Sequence, residues 1–175
     1  TDQSLCHAMG TDASFYRLTP QVIIKVASIK ELVAVIQLCN EFKAHYTYRA
    51  AGTSLSGQAI SDSVLIMLTD DWLNFEIIDD ARQIKLQPGI IGARANQILA
   101  PFQRKIGPDP ASINACKIGG IAANYASGMC CGTAANSYKT LTSMTIVLHD
   151  GAIIDTGNPL SVADFKQSHG IFLDQ

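Results

Sequence analysis

Two glycine-rich loops constrain this chain more than any other feature: Arg49-Ala50-Ala51-Gly52-Thr53-Ser54-Leu55-Ser56-Gly57, and Lys117-Ile118-Gly119-Gly120 with Gly128 beyond it. Each gathers Gly, Ala, Ser and Thr where a strand should end, so the backbone can approach a ligand closely and turn its N–H groups toward phosphate oxygens. Neither has the lysine-serine pair of a Walker loop, and neither reads Gly-x-Gly-x-x-Gly, so both common nucleotide fingerprints are unsupported. Thr53, Ser54 and Ser56 add uncharged hydroxyl donors. By itself the first loop fits an ordinary surface turn as well as an anion cradle, because small polar residues dominate turns. The second is equally open to two readings, a tight turn between packed elements or glycines at a helix N-terminus, where free N–H groups and the helix dipole favour an anion.

A scaffold able to carry such loops is within reach of 175 residues, of which 47% are apolar and 16% charged. A chain of this size buries roughly 70% of its unfolded surface. The net charge of −2 gives no nucleic-acid footprint. No apolar run is long enough to span a bilayer, and the first residues lack the blocks of a signal peptide. A cytoplasmic location is therefore expected. The five cysteines, Cys6, Cys39, Cys116, Cys130 and Cys131, include no Cys-x-x-Cys pair, and reduced thiols packed beside loops are expected. A bond between the neighbours Cys130 and Cys131 is unfavourable in ordinary backbone conformations. The four histidines, His7, His45, His149 and His169, are scattered, which argues against a metal site. The opening Thr1 and the closing apolar run 171–175 read as the ends of a piece of something longer.

Along the chain, Val22–Val26 is a β-branched run, and Ser28-Ile29-Lys30-Glu31 is a capping box opening a helix with Leu32, Val33, Ile36, Cys39 and Phe42 on one face. Short strands follow at Tyr46–Arg49 and Val64–Leu68, and the order strand, helix, strand, loop, strand predicts parallel pairing. Residues 75–78 and 83–87 flank a hairpin turn at 79–82. A helix from Gly92 stops at Pro101. Residues 107–112, Gly-Pro-Asp-Pro-Ala-Ser, form an extended loop. Residues 120–127 read as a short helix ended by Gly128, residues 142–148 and 152–156 as a hairpin through Asp150-Gly151, and Ser161 to Asp164 as the cap of a closing helix.

Taken together, Thr11-Asp12-Ala13-Ser14-x-Tyr16, Pro20, Arg49-x-x-Gly52-Thr53-Ser54-Leu55-Ser56-Gly57, Gly107-Pro108-Asp109-Pro110, Ile118-Gly119-Gly120, Asn124 and Ser127-Gly128 resemble the FAD-linked oxidases of the vanillyl-alcohol oxidase type. The match runs in order over nearly the whole chain. Within that superfamily it is most similar to D-lactate and D-2-hydroxy-acid dehydrogenases. The stretch from Ser127 to Thr133, with Asn136-Ser137-Tyr138, resembles a subgroup whose members carry C-terminal iron-sulfur modules.

The resemblance implies an α+β, two-lobed FAD-binding domain truncated at its C-terminus, with a small β/α lobe over about residues 20–90 and a larger, incomplete mixed-sheet lobe over about 91–175. It implies that Ala50, Ala51, Gly52, Thr53, Ser54, Leu55 and Gly57 hold the FAD pyrophosphate. Pro108, Asp109, Pro110 and Ser112 would line the cofactor's path, and Ile118, Gly119, Gly120, Asn124, Ser127 and Gly128 would meet it from the other lobe. Two positions depart from the family: Ala50-Ala51 stands where Gly-Gly is usual, which would be strained if either alanine needed positive φ, and Lys117 replaces the usual threonine. The loop lacks the histidine some relatives bond to flavin, and Cys116 is misplaced for the cysteine link of another branch, so FAD is expected without a covalent bond.

The activity implied is oxidation of a D-2-hydroxy acid to the 2-oxo acid, with substrate clamp, base and electron acceptor supplied by later domains and no catalytic residue in this chain. Iron-sulfur clusters would belong to the parent protein, which would lie in the cytoplasm or at the inner face of the membrane. Alternatives are the FAD-dependent reductase of peptidoglycan precursor synthesis and a non-catalytic module keeping the fold. The substrate, the acceptor and the oligomeric state stay open.

Overall fold

The computed structural model describes residues 2–170; the closing run at 171–175 lies outside the described residues. The first element is a helix that no sequence pattern announces, α1 (Gln3–Met9), capped by the Asp2 carboxylate accepting from the N–H groups of Ser4 and Leu5. Strand β1 (Val22–Val26) then leads into α2 (Ile29–Glu41). The capping box forms: Ser28 Oγ accepts from the Glu31 N–H at 3.2 Å, while Glu31 Oε2 reaches back to the Ala27 N–H at 2.8 Å. Strands β2 (Tyr46–Arg49) and β3 (Val64–Leu68) complete a three-stranded parallel sheet in the order β1-β3-β2, aligned Val22 with Val64 and Tyr46 with Val64.

As the central strand, β3 buries Val64, Leu65 and Ile66 in succession, as parallel strands covered on both faces do. Val26, Cys39, Val64 and Ile66 form a core to which Leu32, Val35 and Tyr46 are packed. Ile36 is fully buried, but Phe42 is 75% exposed and leaves the expected stripe. The helix stops at Glu41, and left-handed Lys43 (φ 53°) turns the chain toward β2 before another helical turn can place Phe42 inward.

The hairpin of β4 (Phe75–Ile78) and β5 (Gln83–Leu86) follows a short 3₁₀ turn, Asp70–Trp72. Buried Trp72 donates from Nε1 to the Val26 carbonyl at 2.8 Å, which ties the start of the hairpin to the parallel sheet. Helix α3 (Gly92–Leu99) ends at Pro101 in a 3₁₀ turn. Helix α4 (Ile118–Ala123) starts two residues before the expected position and ends early, because Tyr125 adopts a left-handed φ of 50°. After α5 (Ser137–Thr140), the hairpin of β6 (Thr145–Val147) and β7 (Ile153–Asp155) is shorter than expected. Its turn is held to α2 by Asn40 Nδ2 donating to the His149 carbonyl at 2.6 Å.

The cap of α6 (Pro159–Ser168) is Asn158, with Pro159 at the first helical position, where a missing N–H costs nothing. Ser161, the expected cap, lies inside the helix and its Oγ accepts from the Asp155 N–H at 3.0 Å. His169 closes the helix, with Nε2 2.7 Å from Asp150 Oδ2 in the hairpin turn. No helix among the described residues is long and apolar enough to cross a membrane.

Candidate functional site

The first loop is held from beneath by residues the sequence pattern had marked only as a motif. Arg49 closes β2, and its Nη1 donates to the carbonyls of Thr11 at 2.7 Å, Ala59 at 3.2 Å and Met9 at 3.3 Å. The guanidinium thereby pins the N-terminal segment and the far end of the loop to the strand. Asp12 accepts from Ser14 N–H at 2.9 Å, Ser14 Oγ at 2.5 Å and Ala59 N–H at 3.4 Å. The Ala13 N–H donates to the Gly52 carbonyl at 3.0 Å. Tyr16 lies against Gly57, with Cδ2 3.0 Å from where a Cβ would stand. Arg17 adds to this support, donating from Nη2 to the His7 carbonyl at 2.9 Å.

Positive φ in this loop falls on Gly52 (72°) and Gly57 (75°), and on neither Ala50 nor Ala51. The strain that alanine there threatened is absent. Ser54 is not a free hydroxyl donor: its Oγ donates to Gln58 Oε1 and accepts from the N–H groups of Ser56 and Gln58, each at 3.2 Å. That bonding shapes the tip, where Leu55 is exposed. Among the described residues, the N–H groups of Gly52, Thr53, Ser54 and Leu55 donate to no protein acceptor. Four unspent donors on one small-residue loop are the polar resource of the site.

Burial pushes the Asp12 carboxyl up, but the Ser14 hydroxyl and N–H, the Ala59 N–H and the Arg49 charge outweigh it and hold the group below its ordinary value. A carboxyl depressed in the folded state adds stability above its unfolded pKa and loses it as pH falls through the depressed value. Acid unfolding followed by circular dichroism as the pH falls below about 4 should therefore be shallower for Asp12→Asn than for the natural sequence.

The second loop contributes less through its helix terminus than its glycines suggested. The Ile118 N–H is spent on the Ile90 carbonyl at 2.8 Å and the Gly119 N–H on the Pro88 carbonyl at 3.0 Å. Gly119 lies so close to Pro88 that a Cβ would come within 2.7 Å of the ring Cβ. Gly120, at the third helical position, is different: a Cβ there would stand 3.2 Å from Ala50 Cβ. The two loops therefore meet, through Ala50 and Gly120.

Beyond α4, Asn124 is its C-cap and donates from N–H to the Gly120 carbonyl at 3.1 Å. Ser127 and Gly128 then run beside Pro108, Asp109 and Pro110. The Asp109 N–H donates to the Ser127 carbonyl at 2.7 Å, and Gly128 (φ 82°) lies directly against the Asp109 carbonyl. Ser127 Oγ accepts from the Ser137 N–H at 3.1 Å and donates to the Tyr125 carbonyl at 3.2 Å, which fixes the segment. The Ser112 carbonyl accepts from Ala115 and Cys116, both at 2.8 Å, and serves its own turn. No hydrogen bond joins the first loop to residues 108–112 among the described residues; the connection runs through α4.

All five cysteines are free thiols, with Cys6, Cys39 and Cys116 buried, Cys131 half-buried and Cys130, against expectation, exposed. Among the described residues no three His, Cys, Asp or Glu side chains gather as metal ligands. The arrangement is one of binding, with backbone donors, small residues and close approach.

The FAD binding domain family matches residues 20–157. Glycolate oxidase subunit GlcD of Escherichia coli K12 is 27% identical over 160 residues, covering 90% of this chain and 32% of that protein. The D-lactate dehydrogenase of Anaerostipes hadrus is 29% identical over 157 residues, covering 85% and 32%. The chain thus spans about a third of the length of these relatives. The crystal structure of 6-hydroxy-D-nicotine oxidase from Arthrobacter nicotinovorans shares the fold, with a TM-score of 0.74 at 17% identity over 88% of this chain and 34% of that one. With the family match covering most of its length, the chain belongs to the FAD binding domain family of the vanillyl-alcohol oxidase type.

Proposed function

We propose that this chain holds FAD within an enzyme that oxidises a D-2-hydroxy acid, such as D-lactate, to the 2-oxo acid. The observation carrying the reading is the approach of Gly120 to Ala50, which sets two small-residue loops together beside the unspent N–H groups of Gly52 to Leu55. A pyrophosphate accepts such donors without a lysine, since hydrogen bonds to a charged group contribute roughly 1.5–3 kcal/mol each. The names of the two relatives, a glycolate oxidase subunit and a D-lactate dehydrogenase, support 2-hydroxy acids as the substrate class.

In this reading the loop from Ala50 to Leu55, with Gly57 shaping its exit, binds the pyrophosphate. Ile118, Gly119 and Gly120 close over it, and Pro108 to Pro110 with Ser112, Asn124, Ser127 and Gly128 line the remaining path. Bound FAD supplies the acceptor for the hydride equivalent that leaves the substrate α-carbon. The chain's residues bind and orient, while the substrate clamp, the base and the onward acceptor, iron-sulfur or otherwise, lie in the rest of the enzyme. The cofactor is held without a covalent link, supported by the absence of histidine from residues 49–57 and by the burial of Cys116. A division into two lobes near residue 90 and a cytoplasmic or inner-face location belong to the same reading.

The test is an FAD titration of the natural chain and Gly120→Asp, followed by quenching of flavin fluorescence. Gly120 occupies the third position of α4, where an acidic side chain suits the helix dipole, but an added Cβ would crowd Ala50 Cβ at 3.2 Å, so Gly120→Ala, which crowds Ala50 equally without the carboxylate, is titrated beside it. FAD affinity is expected to fall at least tenfold further in Gly120→Asp than in Gly120→Ala; equal affinity in the two variants would overturn the cradle. For the substrate class, the full-length enzyme should reduce an electron-accepting dye with D-lactate and not with L-lactate.

A further inference from the structure

Cys130 and Cys131 take no part in the proposed cradle, yet they are the accessible thiols of the chain. Cys130 is exposed and Cys131 half-buried, while Cys6, Cys39 and Cys116 are only 4–5% exposed. Cys131 Sγ lies among three carbonyl oxygens, 3.0 Å from Ser127, 3.1 Å from Gly128 and 3.4 Å from Gly132. A thiol carries one hydrogen, so these carbonyls compete for it and the sulfur is held by weak, exchangeable contacts. Both flanking glycines have positive φ, and nothing lies within 4 Å of a Cβ position at Gly132. The turn thus has open space at its Gly132 end, while its Gly128 end is packed against the Asp109 carbonyl.

Adjacent residues keep their Cα atoms about 3.8 Å apart, shorter than the roughly 4.4–6.8 Å of an ordinary disulfide, so closure requires the local backbone to distort. A bond between them is strained, and strained, exposed disulfides are the labile ones. The same adjacency makes closure intramolecular, and so fast once one sulfur has been activated.

We infer that Cys130 and Cys131 form a thiol–disulfide exchange site for small-molecule disulfides of the glutathione type. The Cys130 thiolate, its proton lost to solvent, attacks one sulfur of the disulfide, forming a mixed disulfide and expelling one thiolate. Cys131, likewise deprotonated, attacks the Cys130 sulfur, closing the vicinal disulfide and expelling the second thiolate. Both leaving groups take up protons, so two protein thiols are oxidised and one small disulfide is reduced to two thiols. Closure draws Cys131 Sγ off the carbonyls of Ser127 and Gly128, the residues paired with Asp109. The site stands independently of the FAD reading.

The experiment treats the reduced chain with oxidised glutathione and reads intact mass and peptide maps over time. The natural chain should lose two hydrogens, retain no glutathione, map the new bond to Cys130 and Cys131, and return to its starting mass with dithiothreitol. Cys131→Ser should stop at one retained glutathione on Cys130, and Cys130→Ser should react at least tenfold more slowly. A stable glutathione adduct on the natural chain, or first modification at Cys6, Cys39 or Cys116, would overturn the proposal, and the peptide map of the natural chain decides this without any variant.

Discussion

Alanine at Gly128 is expected to destabilise the chain by about 3 kcal/mol or more, a left-handed φ and a collision with backbone acting together. Gly128 has φ 82°, and its added Cβ would run into the Asp109 carbonyl oxygen, with the carbonyl carbon 2.5 Å away and Pro110 Cα 3.0 Å away. Backbone cannot swing aside as a side-chain tip can. Relief requires separating residues 108–110 from 127–128 and breaking the 2.7 Å bond from the Asp109 N–H to the Ser127 carbonyl. Gly132→Ala supplies the control: it shares a positive φ of 55° but meets nothing within 4 Å, so it should cost about 1 kcal/mol. Urea unfolding of both variants separates steric collision from backbone preference, and equal losses would show that the Asp109 contact is not what makes Gly128 necessary.

Arg49→Met is expected to cost about 3 kcal/mol, because it leaves acceptors that lose a charged donor and a carboxylate without its counter-charge. Methionine fills similar volume, so the loss reports the guanidinium and not a cavity. The carbonyls of Met9, Thr11 and Ala59 would all lose their shared donor, and Asp12 would keep its N–H and hydroxyl partners but lose the cation. Arg49→Lys restores the charge without the planar fork and should recover less than half of the loss. Thermal unfolding measures the stability, and FAD titration at a temperature where the variant is folded should show weaker binding, because the loop that carries the free N–H groups begins at this residue.

The secondary structure was legible where side chains carry a signal of their own. The β-branched run of β1, the capping box of α2 and the Asp150-Gly151 turn each state a local preference, and the structure follows all three. Helix α1 went unread because it buries only Cys6 and shows no apolar stripe. The end of α4 was misplaced because a run of Ala, Gly and Asn has no periodicity, and nothing local announces a left-handed Tyr125.

For the candidate site, the choice of loops was readable from glycine and small residues, but their meeting was not. It depends on β2 delivering Ala50 to the place where α4 presents Gly120, a tertiary fact. The loss of the Ile118 and Gly119 N–H groups to Ile90 and Pro88 has the same origin: carbonyls distant in sequence occupy donors that the helix start alone would leave free. The role of Arg49 had a visible sign, an arginine at the junction of strand and loop, but its partners lie on either side of the loop and in the N-terminal segment.

The strand order β1-β3-β2 also sets a timetable for folding. Strands β1 and β2 never pair with each other; each waits for β3 between them. During synthesis the sheet cannot begin to form until β3, which starts at Val64, leaves the ribosome, although α2 and its capping box are complete from residue 42 onward. The chain thus emerges with a helix and two unpaired strands, Val22–Val26 and Tyr46–Arg49, whose apolar faces are open to other molecules. Non-local strand pairing of this kind is slow and exposed to aggregation. Soluble yield should therefore respond to the rate of translation across residues 50–68, the segment that decides how long the two strands remain without their partner.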